Sequence, residues 1–309
     1  MTVAEAKRRL VAALSPKSPS PQLDADCVLQ HVLGCDKTRL LLRRTDVLSA
    51  AQENAAWDAL SKRLTGLPIA YITGHKEFFG YDFVVTPAVL IPKPDTELLV
   101  ELALAAVEDK LSAHPDAVPT VCDMCTGSGC VGISLFRALS EKNSADYGNA
   151  SESLLTLTLA DISAAALAVA RTNAAQLLPQ KQRASVHVVQ TNLFEALPHV
   201  FDIIATNPPY VPHNEAVALL QDGRGEPLLA LDGDVSAAGD FAGSADGLSL
   251  IRRLIPQAYA HLAPNGVLLM ETGEYNAETA AGLCHQAGFR AVHIERDLSG
   301  LLRVVCGTK

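Results

Sequence analysis

No stretch of this sequence stays apolar for the roughly 18 residues that a membrane-spanning helix needs. Charged or strongly polar residues interrupt every run, although 49% of the 309 residues are hydrophobic, and no membrane partner is expected. Met1 to Leu14 carries Lys7, Arg8 and Arg9 without a sustained apolar run and a small-residue cleavage site, so a cytoplasmic location is expected. Seven cysteines, odd in number and scattered, do not make a disulfide framework. Cys122 and Cys125 form a Cys-x-x-Cys with Cys130 nearby, but no second pair or histidine cluster completes a zinc site, and no metal is expected. Basic residues are outnumbered, 25 against 34 acidic, and the net charge of −9 argues against a protein that coats nucleic acid phosphate. No solenoid-period repeat is visible. Nor is there a Ser/His or Cys/His arrangement for covalent catalysis, and His187 and His199 read as surface or packing residues.

What is present suffices for one large domain and a smaller companion. Residues 1 to about 72 place apolar side chains at helical spacing, as in Ala25, Val28, Leu29, Val32 and Leu33, with breaks at Gly34 and around Thr45. A small helical bundle is expected, including a helix from Ala51 to Leu64 that packs Trp57 and stops at Gly66. Tyr71, Phe78, Phe79, Tyr81 and Phe83 crowd residues 69 to 92 around Gly74 and Gly80, which predicts a β-hairpin. Ile91-Pro92-Lys93-Pro94-Asp95-Thr96-Glu97 then reads as a linker that caps a helix over Leu98 to Val107. From Val118 onward strands near 118–124, 155–161, 184–190, 201–207 and 266–272 alternate with helical stretches, the pattern of a doubly wound parallel sheet. Ala291 to Arg296 and Leu301 to Cys306 are too closely joined for a parallel crossover and predict an antiparallel edge. Glu141 to Ser153 and Asp232 to Ser244 read as loop insertions, the second as a solvent loop.

In such a sheet ligands bind outside the carboxyl ends of the strands. The first strand runs through Asp123 into Cys125-Thr126-Gly127-Ser128-Gly129 and then a helix beginning near Val131, a turn whose glycines let backbone approach a ligand while the helix presents free N–H groups. Asp123 would face the donor or cationic end of a cofactor. Asp161 ends the second strand, where a carboxylate can accept from both ribose hydroxyls of a nucleoside cofactor, or else serve as a helix N-cap. At the third strand end, Asn192 could accept from an adenine amino group while Leu193 packs on the ring.

The fourth strand leads into Asn207-Pro208-Pro209-Tyr210, where two prolines fix φ and remove donors, leaving carbonyls turned outward. The Asn207 side-chain oxygen and the Pro208 carbonyl would accept both hydrogens of a planar NH2 group, and Tyr210 would pack on that plane. Such a nitrogen is a poor nucleophile because its lone pair is delocalised; accepting both N–H bonds localises the density and aims it. These four residues alone admit either a nucleobase or a carboxamide.

The chain resembles the peptide chain release factor glutamine methyltransferases, the PrmC/HemK family, over essentially its whole length. The resemblance rests on Pro68 to Gly74 with Phe78, on Ile91 to Glu97, on Cys125 to Gly129, on Asn207 to Tyr210, and on Glu226-Pro227 and Asp246-Gly247-Leu248. It implies an α/β class I S-adenosylmethionine-dependent methyltransferase with a Rossmann-like seven-stranded sheet, a small N-terminal helical domain and a β-hairpin linker. The corresponding boundaries are 1–72 for substrate docking, 73–95 for the linker and 96–309 for the methyltransferase domain. The implied reaction moves a methyl from S-adenosylmethionine, with S-adenosylhomocysteine as product, to the glutamine amide of a Gly-Gly-Gln motif in release factors. No stable nucleic acid binding is implied. Asn207 and Pro208 would hold that amide, and the cofactor would lie along Asp123, Cys125, Thr126, Gly127, Ser128, Gly129, Asp161, Asn192, Leu193 and Asn207. Family members commonly carry glycine at 125, aspartate at 192 and arginine at 93, where this chain has Cys, Asn and Lys. The run from Asp123 to Cys130 also looks like ribosomal-protein glutamine methyltransferases, so a ribosomal protein is an alternative substrate. An exocyclic amine of a nucleic acid is another. From a different class, a nucleotide-binding dehydrogenase would use the same sheet and glycine turn.

Overall fold

A computed structural model describes the chain except for residues 148–153, 198–199, 222–224, 236–242 and 244, together with the side chains of 143–147 and 221. His199 and most of the second insertion lie outside the described residues. The chain divides into two compact units, Met1–His75 with Leu219–Gly225, and Lys76–Ala218 with Glu226–Lys309.

The first unit is helical because its apolar residues recur every three or four positions and each long helix is capped. Helix α1 (Val3–Leu14) buries Val3, Ala6, Leu10 and Leu14, and Thr2 with Glu5 forms a reciprocal capping box. Helix α2 (Pro21–Leu33) starts on a proline and ends at Gly34 in the left-handed region. After the short α3 (Lys37–Leu42), α4 (Ala50–Leu64) opens on a second capping box, Ser49 with Gln52. Trp57 packs partly buried against this core, as its spacing suggests. The buried Asp24 is held by Arg63 Nε at 2.7 Å and by the Ser18 hydroxyl at 2.8 Å, so the charge does not sit unpaired among leucines.

The expected hairpin is shorter than the aromatic content of residues 69–92 suggests. Ile69–Thr73 forms helix α5, begun at Pro68 and stopped by left-handed Gly74, which puts Tyr71 on a helix. Only β1 (His75–Phe78) and β2 (Tyr81–Val84) pair. Phe79 and Gly80 both take positive φ, 52° and 76°, as a two-residue type I′ turn requires.

In the second unit a 3₁₀ turn (Pro94–Thr96) leads into α6 (Glu97–Ala113), followed by β3 (Thr120–Met124), α7 (Cys130–Tyr147), β4 (Thr156–Asp161), α8 (Ala164–Leu177), α9 (Gln180–Arg183), β5 (Val186–Gln190) and β6 (Phe201–Thr206). Then come α10 (His213–Gln221), whose residues from Leu219 on count with the first unit, α11 (Ser249–His261), β7 (Leu262–Glu271), α12 (Ala277–Ala287), β8 (Arg290–Arg296) and β9 (Leu302–Thr308). The seven-stranded sheet runs β5-β4-β3-β6-β7-β9-β8, with β3 to β7 parallel and β9 antiparallel to both its neighbours. The β8–β9 pair is the antiparallel edge that the short connection demands. Alternation sorts side chains to the two faces: Val121, Ile203 and Ala205 pack with Leu99, Ala103 and Phe136, whereas Cys122 and Ile204 pack with Ile251, Leu254 and Ala280.

Both expected insertions need correction where they are described, residues 148–153 of the first lying outside the described residues. Glu141–Tyr147 continues α7 instead of forming a loop, with Arg137 and Glu141 paired one turn apart and Lys142 paired to Glu108. A run of polar residues is as compatible with a solvent-facing helical turn as with a loop. Asp232 and Asp234, at the start of the second insertion, are buried instead of lying in a solvent loop, because their carboxylates bind backbone and side-chain groups of His213, Gly247 and Ser249.

Candidate active site

Chain order places the switch point of the sheet between β3 and β6, where successive strands are laid down first on one side and then on the other. Met124 is level with Ala160 on β4 and Thr206 on β6, Ala160 with Val189 on β5, and Thr206 with Met270 on β7. One step further along each strand stand Cys125, Asp161, Asn207 and Glu271. Of these, Cys125, Asp161 and Asn207 open on a cavity of about 260 Å³ that Asp123, Thr126, Gly127, Ser128, Asn192, Leu193 and Pro209 also line, and Glu271 stays buried outside that lining. Gly129, Pro208 and Tyr210 do not line it. Gly129 lies behind the turn, where an added Cβ would meet Ile133 at 2.7 Å.

Two carboxylates organise the glycine turn. Asp123, buried at the end of β3, accepts from the Thr126 hydroxyl at 2.6 Å and the Gly132 amide at 2.9 Å. Burial pushes its pKa up to about 6 against the pull of those bonds, and the nearby Asp161 raises it further. Asp161 accepts from the Gly127 amide and the Ser163 amide, each at 2.9 Å, and its pKa too is raised by burial. The α8 N-cap is Ser163, whose hydroxyl accepts from Ala166. Asp161 therefore ties two strand ends together while its carboxylate faces the cavity.

Cys125 sits at φ 59°, a left-handed conformation that costs a residue with a Cβ roughly 1–2 kcal/mol and that glycine adopts freely. Cys125→Gly is expected to leave the melting temperature unchanged within a few degrees, relief of strain offsetting the greater freedom of glycine in the unfolded chain. Cys125→Val, with a branched Cβ at positive φ, should lower it clearly; calorimetry of the three proteins checks both.

The third strand end differs from the sequence expectation in one respect. Asn192 Oδ1 already accepts from Arg253 Nη2 at 3.1 Å, and its Nδ2 donates to Glu195. Arg253 itself lines the cavity. Leu193 is buried beside it at φ 51°.

After β6 the Asn207 amide is held from behind, with Nδ2 donating to the buried Thr96 hydroxyl at 3.2 Å. The Tyr210 hydroxyl donates to Glu271 Oε1 at 3.3 Å, and the Tyr210 carbonyl accepts from Asn276 Nδ2 at 3.2 Å and the Tyr275 hydroxyl at 3.3 Å. Burial pushes Glu271 up to about 7, with Thr96, Arg303 and Tyr210 pulling the other way. Glu226 accepts from Nζ of Lys93, a cavity-lining residue, at 2.7 Å, so Lys93 makes an ion pair that an arginine could also make. Asn173, in mid-helix on α8, donates to the Ser128 and Val84 carbonyls and accepts from the Val84 amide, joining the glycine turn to β2.

Sequence reasoning missed Thr96, Asn173, Arg253, Glu271 and Asn276. Glu271 was within reach of the rule applied to the first four strands, since it ends the fifth. Asn173 could have been flagged as an amide on the apolar face of a helix. Thr96 lay in the Ile91 to Glu97 motif with no sign of its contact to Asn207, and Arg253 gives no local signal.

Comparison with known proteins matches residues 3–74 to the PrmC N-terminal domain and residues 107–222 to the methyltransferase small domain. The chain is 38% identical over 290 residues to the release factor glutamine methyltransferase of Bordetella pertussis, covering 93% of this chain and 94% of that protein. It is 36% identical over 299 residues to the enzyme of the same name from Burkholderia pseudomallei, covering 96% and 95%. Among solved structures, the catalytic domain of hMettl16 in complex with the MAT2A 3′UTR hairpin 6 superposes with a TM-score of 0.50 at 16% identity, covering 81% of each chain. That likeness concerns the fold alone.

Proposed function

The chain belongs to the release factor glutamine methyltransferase family, and on that premise we propose that it methylates the side-chain amide nitrogen of the glutamine in the Gly-Gly-Gln motif of peptide chain release factors. The observation that carries this reading is the Asn207 amide: Thr96 takes its nitrogen, which leaves its oxygen for the cavity, where a carboxamide NH2 can donate to it. The Pro208 carbonyl takes the second hydrogen, Pro209 stiffens the segment, and Tyr210 packs on the amide plane.

The cavity suits S-adenosylmethionine. Carboxylates at two neighbouring strand ends can accept from the amino acid and ribose ends, Leu193 offers an apolar face for the base, and Gly127 keeps its side of the turn open, since a Cβ there would meet nothing within 4 Å. Bound there, the cofactor supplies an electrophilic methyl on a sulfonium. Asp123, Cys125, Thr126, Gly127, Ser128, Asp161, Asn192 and Leu193 would hold it, with Gly129 shaping the turn from behind, and Asn207 would border it. Asn207 and Pro208 would accept the two N–H bonds of the glutamine amide and turn its nitrogen toward that methyl, which methyl transfer with loss of one amide proton requires.

In the same reading residues 1–72 dock the release factor, 73–95 link, and 96–309 carry the chemistry in the cytoplasm. No helix among the described residues is long and apolar enough to cross a membrane, and the net charge of −9 disfavours stable binding to nucleic acid. Incubation with S-adenosylmethionine and a release factor, followed by tandem mass spectrometry of the Gly-Gly-Gln peptide, should place 14 Da, about one methyl in place of hydrogen, on the glutamine side chain. An unmodified glutamine overturns the reading.

A further inference from the structure

Two arginines stand side by side on α11 and meet different surroundings. Successive helical residues point about 100° apart, so one can face outward while the next looks inward. Arg252 Nη1 and Nη2 donate to the two oxygens of the exposed Asp246. Arg253 is half-buried and lines the cavity beside Leu250. Its one side-chain hydrogen bond among the described residues runs from Nη2 to Asn192 Oδ1 at 3.1 Å, and no carboxylate among them pairs with it. The start of α11 is fixed by the buried Asp234, which accepts from the Gly247 amide and the Ser249 hydroxyl. Arg253 follows Ser249 by one turn, so the fold itself aims it. A guanidinium carries five N–H donors, and holding them beside apolar side chains is costly unless acceptors reach them. This part of the cavity wall therefore offers donors that the described residues do not use.

The partner of Arg253 is oriented by it. A guanidinium only donates and an ionised carboxylate only accepts, so Asn192 turns its oxygen to Arg253 and its NH2 to Glu195 Oε1, 2.9 Å away. An acceptor and a donor thus lie next to each other at the end of β5. Ile162, 43% exposed, and Leu193 line the same cavity and offer apolar surface to a flat ring. Adenine presents the complementary pair, an amino donor beside a ring-nitrogen acceptor, through N1 on one edge and N7 on the other. Hypoxanthine has a carbonyl acceptor in place of the amino donor. A carbonyl oxygen has two lone pairs, so the Asn192 oxygen can accept from Arg253 and from a ligand together. We propose that Arg253 is a cofactor-binding residue that sets base specificity: it donates to a ring nitrogen of adenine next to the amino group, while the Asn192 oxygen it holds accepts from that amino group. This rests on S-adenosylmethionine as the cofactor and not on which amide receives the methyl.

Titration calorimetry of the full chain with S-adenosylhomocysteine and three analogues, carrying 1-deazaadenine, 7-deazaadenine or hypoxanthine, tests it without turnover. Wild type should bind the hypoxanthine compound at least about tenfold more weakly, and at least one deaza compound about tenfold more weakly, than the parent, as loss of a hydrogen bond to a charged group implies. Arg253→Met removes the donors and keeps an unbranched side chain against the wall. It should bind S-adenosylhomocysteine about tenfold more weakly, and the penalty for one deaza substitution should disappear, which identifies the ring nitrogen that Arg253 meets. Equal wild-type affinities for the parent and both deaza compounds overturn the proposal without recourse to any variant. Deaza penalties that persist unchanged in Arg253→Met overturn it as well. A flat analogue series in a protein that methylates the Gly-Gly-Gln peptide removes the role of Arg253 alone. The expected series in a protein that leaves the peptide unmodified upholds Arg253 and overturns the glutamine reading instead.

Discussion

Replacing Asn207 with alanine is expected to abolish turnover while leaving cofactor affinity nearly intact. The reason is geometric. Asn207 borders the cavity from β6, whereas the carboxylates assigned to the cofactor stand at the ends of β3 and β4. Alanine keeps the backbone of the proline segment and removes the one side-chain acceptor that Thr96 has oriented toward substrate. Loss of a preorganised hydrogen-bonding group at a reacting centre costs about 10²–10³ in kcat, and here the lost group also aims the nucleophile. Isothermal titration with S-adenosylmethionine beside single-turnover methylation separates the two effects. A collapse of cofactor binding would show that Asn207 belongs to the cofactor and not to the substrate amide.

The second large effect is expected far from Asn207 in sequence. Gly247→Ala should both unfold the protein at lower temperature and inactivate it. A Cβ at Gly247 would stand 2.1 Å from the Tyr210 carbonyl oxygen and 3.1 Å from the Pro212 nitrogen, both backbone atoms that no rotamer change can move aside. Gly247 also sits at φ 73°, so the strain of a left-handed alanine adds to the overlap. Overpacking and strain together come to about 2–5 kcal/mol, or roughly 5–15 °C in melting temperature for a unit of this size. Relief requires displacing the Tyr210 carbonyl, which the Asn276 amide and Tyr275 hydroxyl hold from elsewhere. Activity measured well below the transition should therefore remain low. A variant that melts early but turns over normally when cold would mean that the segment can shift without harm to the site. The buried Asp234, whose two oxygens accept the Gly247 amide at 3.0 Å, is what brings this glycine to Tyr210 despite the insertion between them.

Gly247 illustrates how much of the site can be read in advance. The Asp-Gly-Leu motif was visible, but its purpose, a close backbone approach to Tyr210, depends on two segments meeting in space. The glycine turn was legible together with the reason for glycine there, and the structure adds that Cys125 occupies a left-handed position within it. Asn192 was legible as an amide at a strand end, although its engagement by Arg253 was not. Two misreadings have a common cause. Polarity predicted loops at Glu141 and at Asp232, yet a polar residue can face solvent from a helix, as Glu141 does, or be buried among donors, as Asp232 and Asp234 are. Composition does not distinguish these outcomes.

By itself the sequence determined the parallel sheet, the strands whose carboxyl ends carry chemistry, and the residues standing there, because period-2 and helical patterns are local and a parallel α/β chain must present those ends on one side. Tertiary structure alone decided how the residues are held. Asn207 meets Thr96 across 111 positions and Tyr210 meets Glu271 across 61, and the polarity of a hydrogen bond is set by the partner it finds. That is why the Asn-Pro-Pro-Tyr segment could be identified from its own residues, while the orientation of its amide could not.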